Sequence, residues 1–272
     1  MIHFKNLENI HCVKDSFDKL ISAFEQSSIP GASESNGYDW FSLIEDSMWL
    51  TYISKILEAS IEINNSLIKG MNVLVHCSDG WDRTSQVVSI SQICIDPYFR
   101  TIEGFCVLIE KEWVFPGHQF ELRCGHGKCA LSKEKKNSPI FIQFLDCVHQ
   151  LINQYPVSFE FGLSLLQDLA FHLYSCCFGT FLSNTLKEIM VLKLNEKTLS
   201  VWSYILARRN KYLNPIYKED SQRILFPYIS KKYLRVWHEY FGYYHPAQNC
   251  LDDEILNHIS IKLYLFFPLA LF

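Results

Sequence analysis

Cys77 and Arg83 stand six positions apart in the run His76-Cys77-Ser78-Asp79-Gly80-Trp81-Asp82-Arg83-Thr84. Five intervening residues can curl their backbone N–H groups inward around a tetrahedral anion such as a phosphate. The cysteine would then lie beneath the phosphorus, where N–H groups and a helix dipole favour the thiolate. The arginine fork would clamp two of the anion's oxygens and stabilise the charge that develops in the transition state. Gly80 at mid-loop lets the chain take a positive φ or approach a ligand closely. An inert buried cysteine with Arg83 in an ion pair is the plain alternative. A polar loop between two apolar elements is hard to explain by packing alone.

Those flanking elements are legible. Residues 71–76 contain Val73-Leu74-Val75, a short β-branched run that reads as a buried strand. Residues 83–95 carry Val87, Val88, Ile90, Ile93 and Cys94, the pattern of a buried helix. Strand, tight loop and helix form the arrangement that gathers N–H groups around an anion. Further helices are expected over 15–24, 49–67 (before the stop signal Lys69-Gly70), 140–151, 161–174 and 198–206, with polar loops over 27–38 and 128–138.

The 272 residues are 49% hydrophobic, 15% aromatic and only 20% charged, which excludes a disordered chain. A net charge of −4 argues against gripping nucleic acid by bulk electrostatics. No composition break divides the chain, so one domain is expected. The N-terminus lacks the apolar stretch of a signal peptide, and the ten scattered cysteines read as reduced thiols in a cytoplasmic protein. The last twelve residues, 261–272, are nearly all apolar but shorter than the ~20 needed to span a bilayer. A buried terminal segment is the expectation there, with an interfacial membrane contact as the alternative. His118, Cys124, His126 and Cys129 do not have the spacing of a structural zinc site, and no metal or other cofactor is expected. Lys133, Lys135 and Lys136 lie in a charged loop read as solvated, with anionic lipid headgroups as the alternative contact.

The run 76–84 resembles the signature of the myotubularin family of phosphoinositide 3-phosphatases. Asn9-Ile10-His11, the block 105–113, Gly117-His118, Gly125-His126-Gly127 and Ser138-Pro139-Ile140-Phe141 continue the resemblance. So do Phe159-Glu160-Phe161, Leu173-Tyr174-Ser175-Cys176, Phe178-Gly179-Thr180-Phe181, Val201-Trp202-Ser203 and Asn214-Pro215. The blocks occur in the family's order over about residues 7–245.

The resemblance implies an α/β fold, a cysteine-phosphatase-type central sheet flanked by helices. Here the fold is expected to be helix-rich and truncated on its N-terminal side, without the pleckstrin-homology-type domain. Residues 1–250 would be a partial phosphatase domain and 251–272 an apolar tail. Cys77 would attack the 3-phosphate of an inositol lipid and carry a phosphocysteine, and Arg83 would bind the phosphate. Asp82 would protonate the leaving oxygen, with Asp79 as its rival; both also fit as residues that open the helix. Ser78, Asp79, Gly80 and Trp81 would contact the phosphate, Trp81 lying against the ring, the membrane or the core. Asn9 would touch the inositol ring, and Arg123 the remaining ring phosphates or, alternatively, an ion pair. Gln119 stands where relatives tend to carry Arg or Lys, which favours phosphatidylinositol 3-phosphate over the 3,5-bisphosphate. The implied setting is cytoplasmic, at endosomal-type membranes. An inactive adaptor that binds lipid or a myotubularin-family partner is the competing reading.

Overall fold

The computed structural model describes residues 5–27, 40–126, 136–219 and 222–242. The helices are α1 (Ile10–Ser27), α2 (Trp40–Ser47), α3 (Trp49–Ile68), α4 (Arg83–Ile95), α5 (Ile102–Ile109), α6 (Phe120–Cys124), α7 (Ile140–Gln154) and α8 (Leu163–Ser175). Short helices follow: α9 (Leu186–Leu192), α10 (Leu194–Lys197), α11 (Val201–Ala207), α12 (Arg209–Tyr212) and α13 (His238–Phe241). The helix expected over 15–24 is the middle of α1, and those expected over 49–67, 140–151, 161–174 and 198–206 appear as α3, α7, α8 and α11.

The chain divides into two compact units. The first takes Met1–Ser16 and Met48–Val236, the second Phe17–Ser47 and Trp237–Phe272. Composition hides this division because apolar residues are dense in both. In the second unit Phe24 meets Trp40 edge-on at 4.9 Å and stacks with Phe241 at 5.8 Å.

The first unit is built on α7, buried from Ile140 to Ile152 on every face. A helix enclosed all round must satisfy its polar side chains internally. Gln143 accepts from Gln86 Nε2 at 2.8 Å, and Asp146 accepts from Trp49 Nε1 and Gln150 Nε2, both at 2.7 Å. Helices α3, α4 and α8 pack around α7. Helix α5 starts with a Thr101 side-chain cap on the Gly104 N–H and runs on into a wider turn over Glu110–Val114. Gly104 is obligatory, since a Cβ there would lie 1.9 Å from the Tyr98 carbonyl oxygen. The wide turn places Trp113 in a ring cluster, 4.9 Å from Phe141 and 5.0 Å from Phe144, while its indole N–H reaches Ser89 of α4 at 3.0 Å.

Helical richness is as expected, but the central sheet is not present among the described residues, where an antiparallel bridge between Phe161 and Leu213 is recorded. The run 71–76 was expected to be a buried strand. It forms no helix or strand and has no pairing partner among the described residues, and Leu74 is 88% exposed. Periodicity reports an apolar β-branched run correctly; it cannot supply the neighbour that would bury it. The tail 251–272, most of the expected loops over 27–38 and 128–138, and Cys129, Lys133 and Lys135 fall outside the described residues. No helix among the described residues is long and apolar enough to cross a membrane.

Phe144 is fully buried between Phe105, Phe141 and Trp113. Phe144→Ala should therefore lower unfolding free energy by about 3–5 kcal/mol in urea titrations, with little change in the denaturant slope.

Candidate active site

Residues 77–82 form a tight polar turn that delivers the chain into α4, whose first residue is Arg83. Gly80 sits at φ +91°, a conformation that L side chains rarely adopt, so its place at mid-loop is conformational. The turn closes on the sulfur: the Gly80 N–H donates to Cys77 Sγ at 3.1 Å. Partial burial pushes the Cys77 thiol up. The Thr84 hydroxyl and the N–H groups of Gly80, Thr84 and Asp79 act the other way and prevail, leaving its pKa below the ordinary value. In Cys94 and Cys106 burial prevails, and both are pushed up to about 12.

Arg83 turns back alongside the loop. It donates to Ser78 Oγ at 3.1 Å and to the Leu7 carbonyl at 3.2 Å. The second contact brings the segment before α1 up to the loop. Asn9 is two residues on, but its Oδ1 is occupied with the N–H groups of His11 and Cys12, at 2.9 and 3.0 Å, as the cap of α1.

Asp82 occupies the position just before α4, yet its side chain caps nothing. The carboxylate is buried and faces the other way, toward α6. Arg123 grips it with two prongs, Nε to Oδ1 at 3.2 Å and Nη2 to Oδ2 at 2.7 Å, while His118 Nδ1 lies 3.1 Å from Oδ1. Burial raises the carboxyl's pKa, but His118 and Arg123 outweigh it and hold the group at about 2. A carboxyl so held carries no proton at neutral pH, so the donor role expected for it requires the ion pair to open first. Arg123 is likewise engaged, with Asp82 and with the Lys136 carbonyl at 3.0 Å, the ion-pair alternative weighed for it from sequence. Asp79 is exposed. The Trp81 carbonyl accepts from His118 Nδ1 at 2.8 Å, and its indole N–H has no partner among the described residues.

The structure thus gathers Cys77, Ser78, Asp79, Gly80, Trp81, Asp82, Arg83 and Arg123, and turns Asn9 to a capping role close by. It adds two groups that sequence reasoning did not assign to the site: His118 beneath the loop and the Leu7 carbonyl beside Arg83. Nothing in the spacing signals either, because each reaches the loop from another part of the chain. No group of three or more His, Cys, Asp or Glu side chains suited to a metal ion occurs among the described residues.

A lowered-pKa thiol that opens a turn whose N–H groups face it, with an arginine alongside at a helix start, is an arrangement able to hold a tetrahedral anion. Residues 1–190 match the model of the myotubularin-like phosphatase domain. The chain is 41% identical over 256 residues to phosphatidylinositol-3,5-bisphosphate 3-phosphatase MTMR6 of Rattus norvegicus, covering 92% of this chain and 38% of that protein. Against the Homo sapiens protein of the same name it is 42% identical over 256 residues, covering 92% and 40%. Against myotubularin of Xenopus tropicalis it is 41% identical over 244 residues, covering 89% and 39%. The chain belongs to the myotubularin family, and it spans about two fifths of the length of these relatives.

The ion pair carries a pH signature. A carboxyl whose pKa is lowered in the folded state stabilises the fold above its unfolded value of 3.8, and that contribution is lost as pH falls toward 2. Asp82→Asn should therefore cost about 2 kcal/mol at pH 7 in urea titrations, and the gap between the two proteins should close between about pH 4 and pH 2.

Proposed function

We propose that this chain carries the catalytic loop of a phosphoinositide 3-phosphatase acting on the 3-phosphate of phosphatidylinositol 3-phosphate. The observation that carries this reading is the Cys77 sulfur, its pKa lowered by the Thr84 hydroxyl and by the N–H groups of Gly80, Thr84 and Asp79, with Arg83 bonded to the adjacent Ser78. The thiolate attacks phosphorus, the bond from phosphorus to the ring oxygen breaks, and that oxygen takes a proton. A phosphocysteine remains, and water then hydrolyses it to inorganic phosphate and the free thiolate. Arg83 binds the equatorial oxygens in place of its contacts with Ser78 and Leu7. Trp81 flanks the ring, and Asn9, next to Arg83 through Leu7, lies on the ring side of the loop.

Asp79 supplies the proton in this mechanism, because it is the exposed carboxylate of the loop, whereas Asp82 is buried in its ion pair. Asp82 acts by holding the loop. The monophosphate is the favoured substrate because Arg123 is engaged with Asp82 and Gln119 brings no charge. The relatives named above for the 3,5-bisphosphate make that lipid the comparison substrate. The setting we propose is peripheral, on the cytoplasmic face of endosomal-type membranes.

The exposed run 71–76 favours a second reading, in which the chain binds a myotubularin-family partner. Beyond Met71, whose N–H is taken by the Ser66 carbonyl, the run is open to pairing with a strand outside the described residues, and such pairing would restore a phosphatase-type sheet directly behind Cys77.

The test is phosphate release from short-chain phosphatidylinositol 3-phosphate, set beside an aryl phosphate whose leaving group needs no proton. Cys77→Ser should abolish release from both. Asp79→Asn should lower lipid turnover about 100-fold or more while sparing the aryl phosphate, and Asp82→Asn should lower both. Sparing of the aryl phosphate by Asp82→Asn but not by Asp79→Asn would return the acid role to Asp82. Absence of release from a folded wild-type chain would favour the partner-binding reading.

A further inference from the structure

With the phosphatase reading of the loop as its basis, we propose that His118 is a positioning residue of the site. The hydrogen on its Nδ1, shared between the Trp81 carbonyl and the Asp82 carboxylate, fixes the second half of the loop against Cys77.

A carbonyl oxygen can only accept, so the 2.8 Å contact with Trp81 places the ring hydrogen on Nδ1. The same hydrogen lies between that oxygen and Asp82 Oδ1, at 3.1 Å, and so ties two consecutive residues to one point. The ring cannot easily turn away. Its side chain is fully buried, with Trp113 edge-on at 4.8 Å and Phe120 edge-on at 4.7 Å. Its backbone is held on both sides, with its N–H on the Trp113 carbonyl at 2.9 Å and its C=O taking the Phe120 N–H at 2.8 Å. Nε2 has no partner among the described residues, so all of the ring's hydrogen bonding there goes to the loop.

The geometric consequence follows from the peptide plane. The peptide between Trp81 and Asp82 is trans, so its C=O and N–H point in opposite directions. Pinning the carbonyl outward on His118 turns the Asp82 N–H to the opposite side, the orientation that an anion-cradling turn requires. Arg123 neutralises Asp82, and its guanidinium hydrogen bonds go to Asp82 and the Lys136 carbonyl among the described residues. The Ser85 hydroxyl also donates to the Trp81 carbonyl, at 3.3 Å, but Ser85 lies in the first turn of α4 and moves with the loop it would have to hold. His118 is the anchor from outside.

Two substitutions separate donation from packing. His118→Phe keeps a ring of similar size in the aromatic cluster and removes the Nδ1 hydrogen, while His118→Asn shortens the side chain but keeps an N–H donor. Both are compared with the wild-type chain for kcat and KM on short-chain phosphatidylinositol 3-phosphate, for the rate of Cys77 alkylation by iodoacetamide at pH 7, and for near-UV circular dichroism. His118→Phe should lower kcat about 10- to 100-fold with KM within about threefold, and slow alkylation several-fold as donors to the sulfur are lost; His118→Asn should recover most of both. Wild-type rates in a folded His118→Phe chain, or no recovery in His118→Asn, would overturn the proposal. If His118→Phe does not fold, His118→Asn decides: alkylation within about threefold of wild type supports the anchor, and a larger fall overturns it. Alkylation needs no substrate. A wild-type chain that releases no phosphate but shows the predicted alkylation pattern would defeat the phosphatase reading and leave the anchor standing.

Discussion

Holding a sulfur anion at the mouth of a helix requires several N–H groups to converge on one point, and one bond inside a six-residue turn, from the Gly80 N–H to Cys77 Sγ, does not hold them all there. The turn over 77–82 is fixed instead from outside, by the buried carboxylate of Asp82 gripped between Arg123 and His118. A buried carboxylate is costly unless paired, and removing one partner leaves the others unsatisfied. The same cost that makes the cluster expensive makes it selective for a single loop conformation. The work we propose for Cys77, Gly80 and Arg83 depends on this ion pair behind them.

The ion pair in turn depends on the aromatic layer beneath it. Trp113 is placed by the wide turn at the end of α5 and locked to α4 through Ser89, so that the helix carrying Arg83 and the rings supporting His118 share one anchor. Phe120 opens α6 against Phe141 and Phe181, and three residues later the same helix presents Arg123. Packing and chemistry are thus linked through short paths. The buried face of α6 fixes its register, and the register sets which side chain meets Asp82.

Much of this was legible in the sequence. The spacing of Cys77 and Arg83, the Gly80 between them and the apolar pattern of 83–95 indicated a tight turn opening a helix, and α3, α7 and α8 followed from their apolar residues. The pairing of Asp82 was less accessible. Its place before a helix suits either a cap or an acid, and only the tertiary position of α6, some forty residues on, decides that its carboxylate faces a guanidinium. His118 was open to a metal reading because type and spacing say nothing of which ring nitrogen faces a carbonyl. The run 71–76 looked buried because burial of a strand depends on its neighbours, and those are not written into its own residues. Composition carries no sign of the two compact units, one boundary of which falls inside the continuous helix α1.

The central claim is that Cys77 is the nucleophile and that its sulfur takes the phosphoryl group. The most direct measurement is an acid quench of the chain during turnover of phosphatidylinositol 3-phosphate, followed by peptide mass mapping of the trapped protein. The account predicts a phosphoryl group on the peptide containing Cys77, assigned to the sulfur and absent from Cys77→Ser. Turnover with no phosphoryl group on Cys77, or with the group on another side chain, would contradict it.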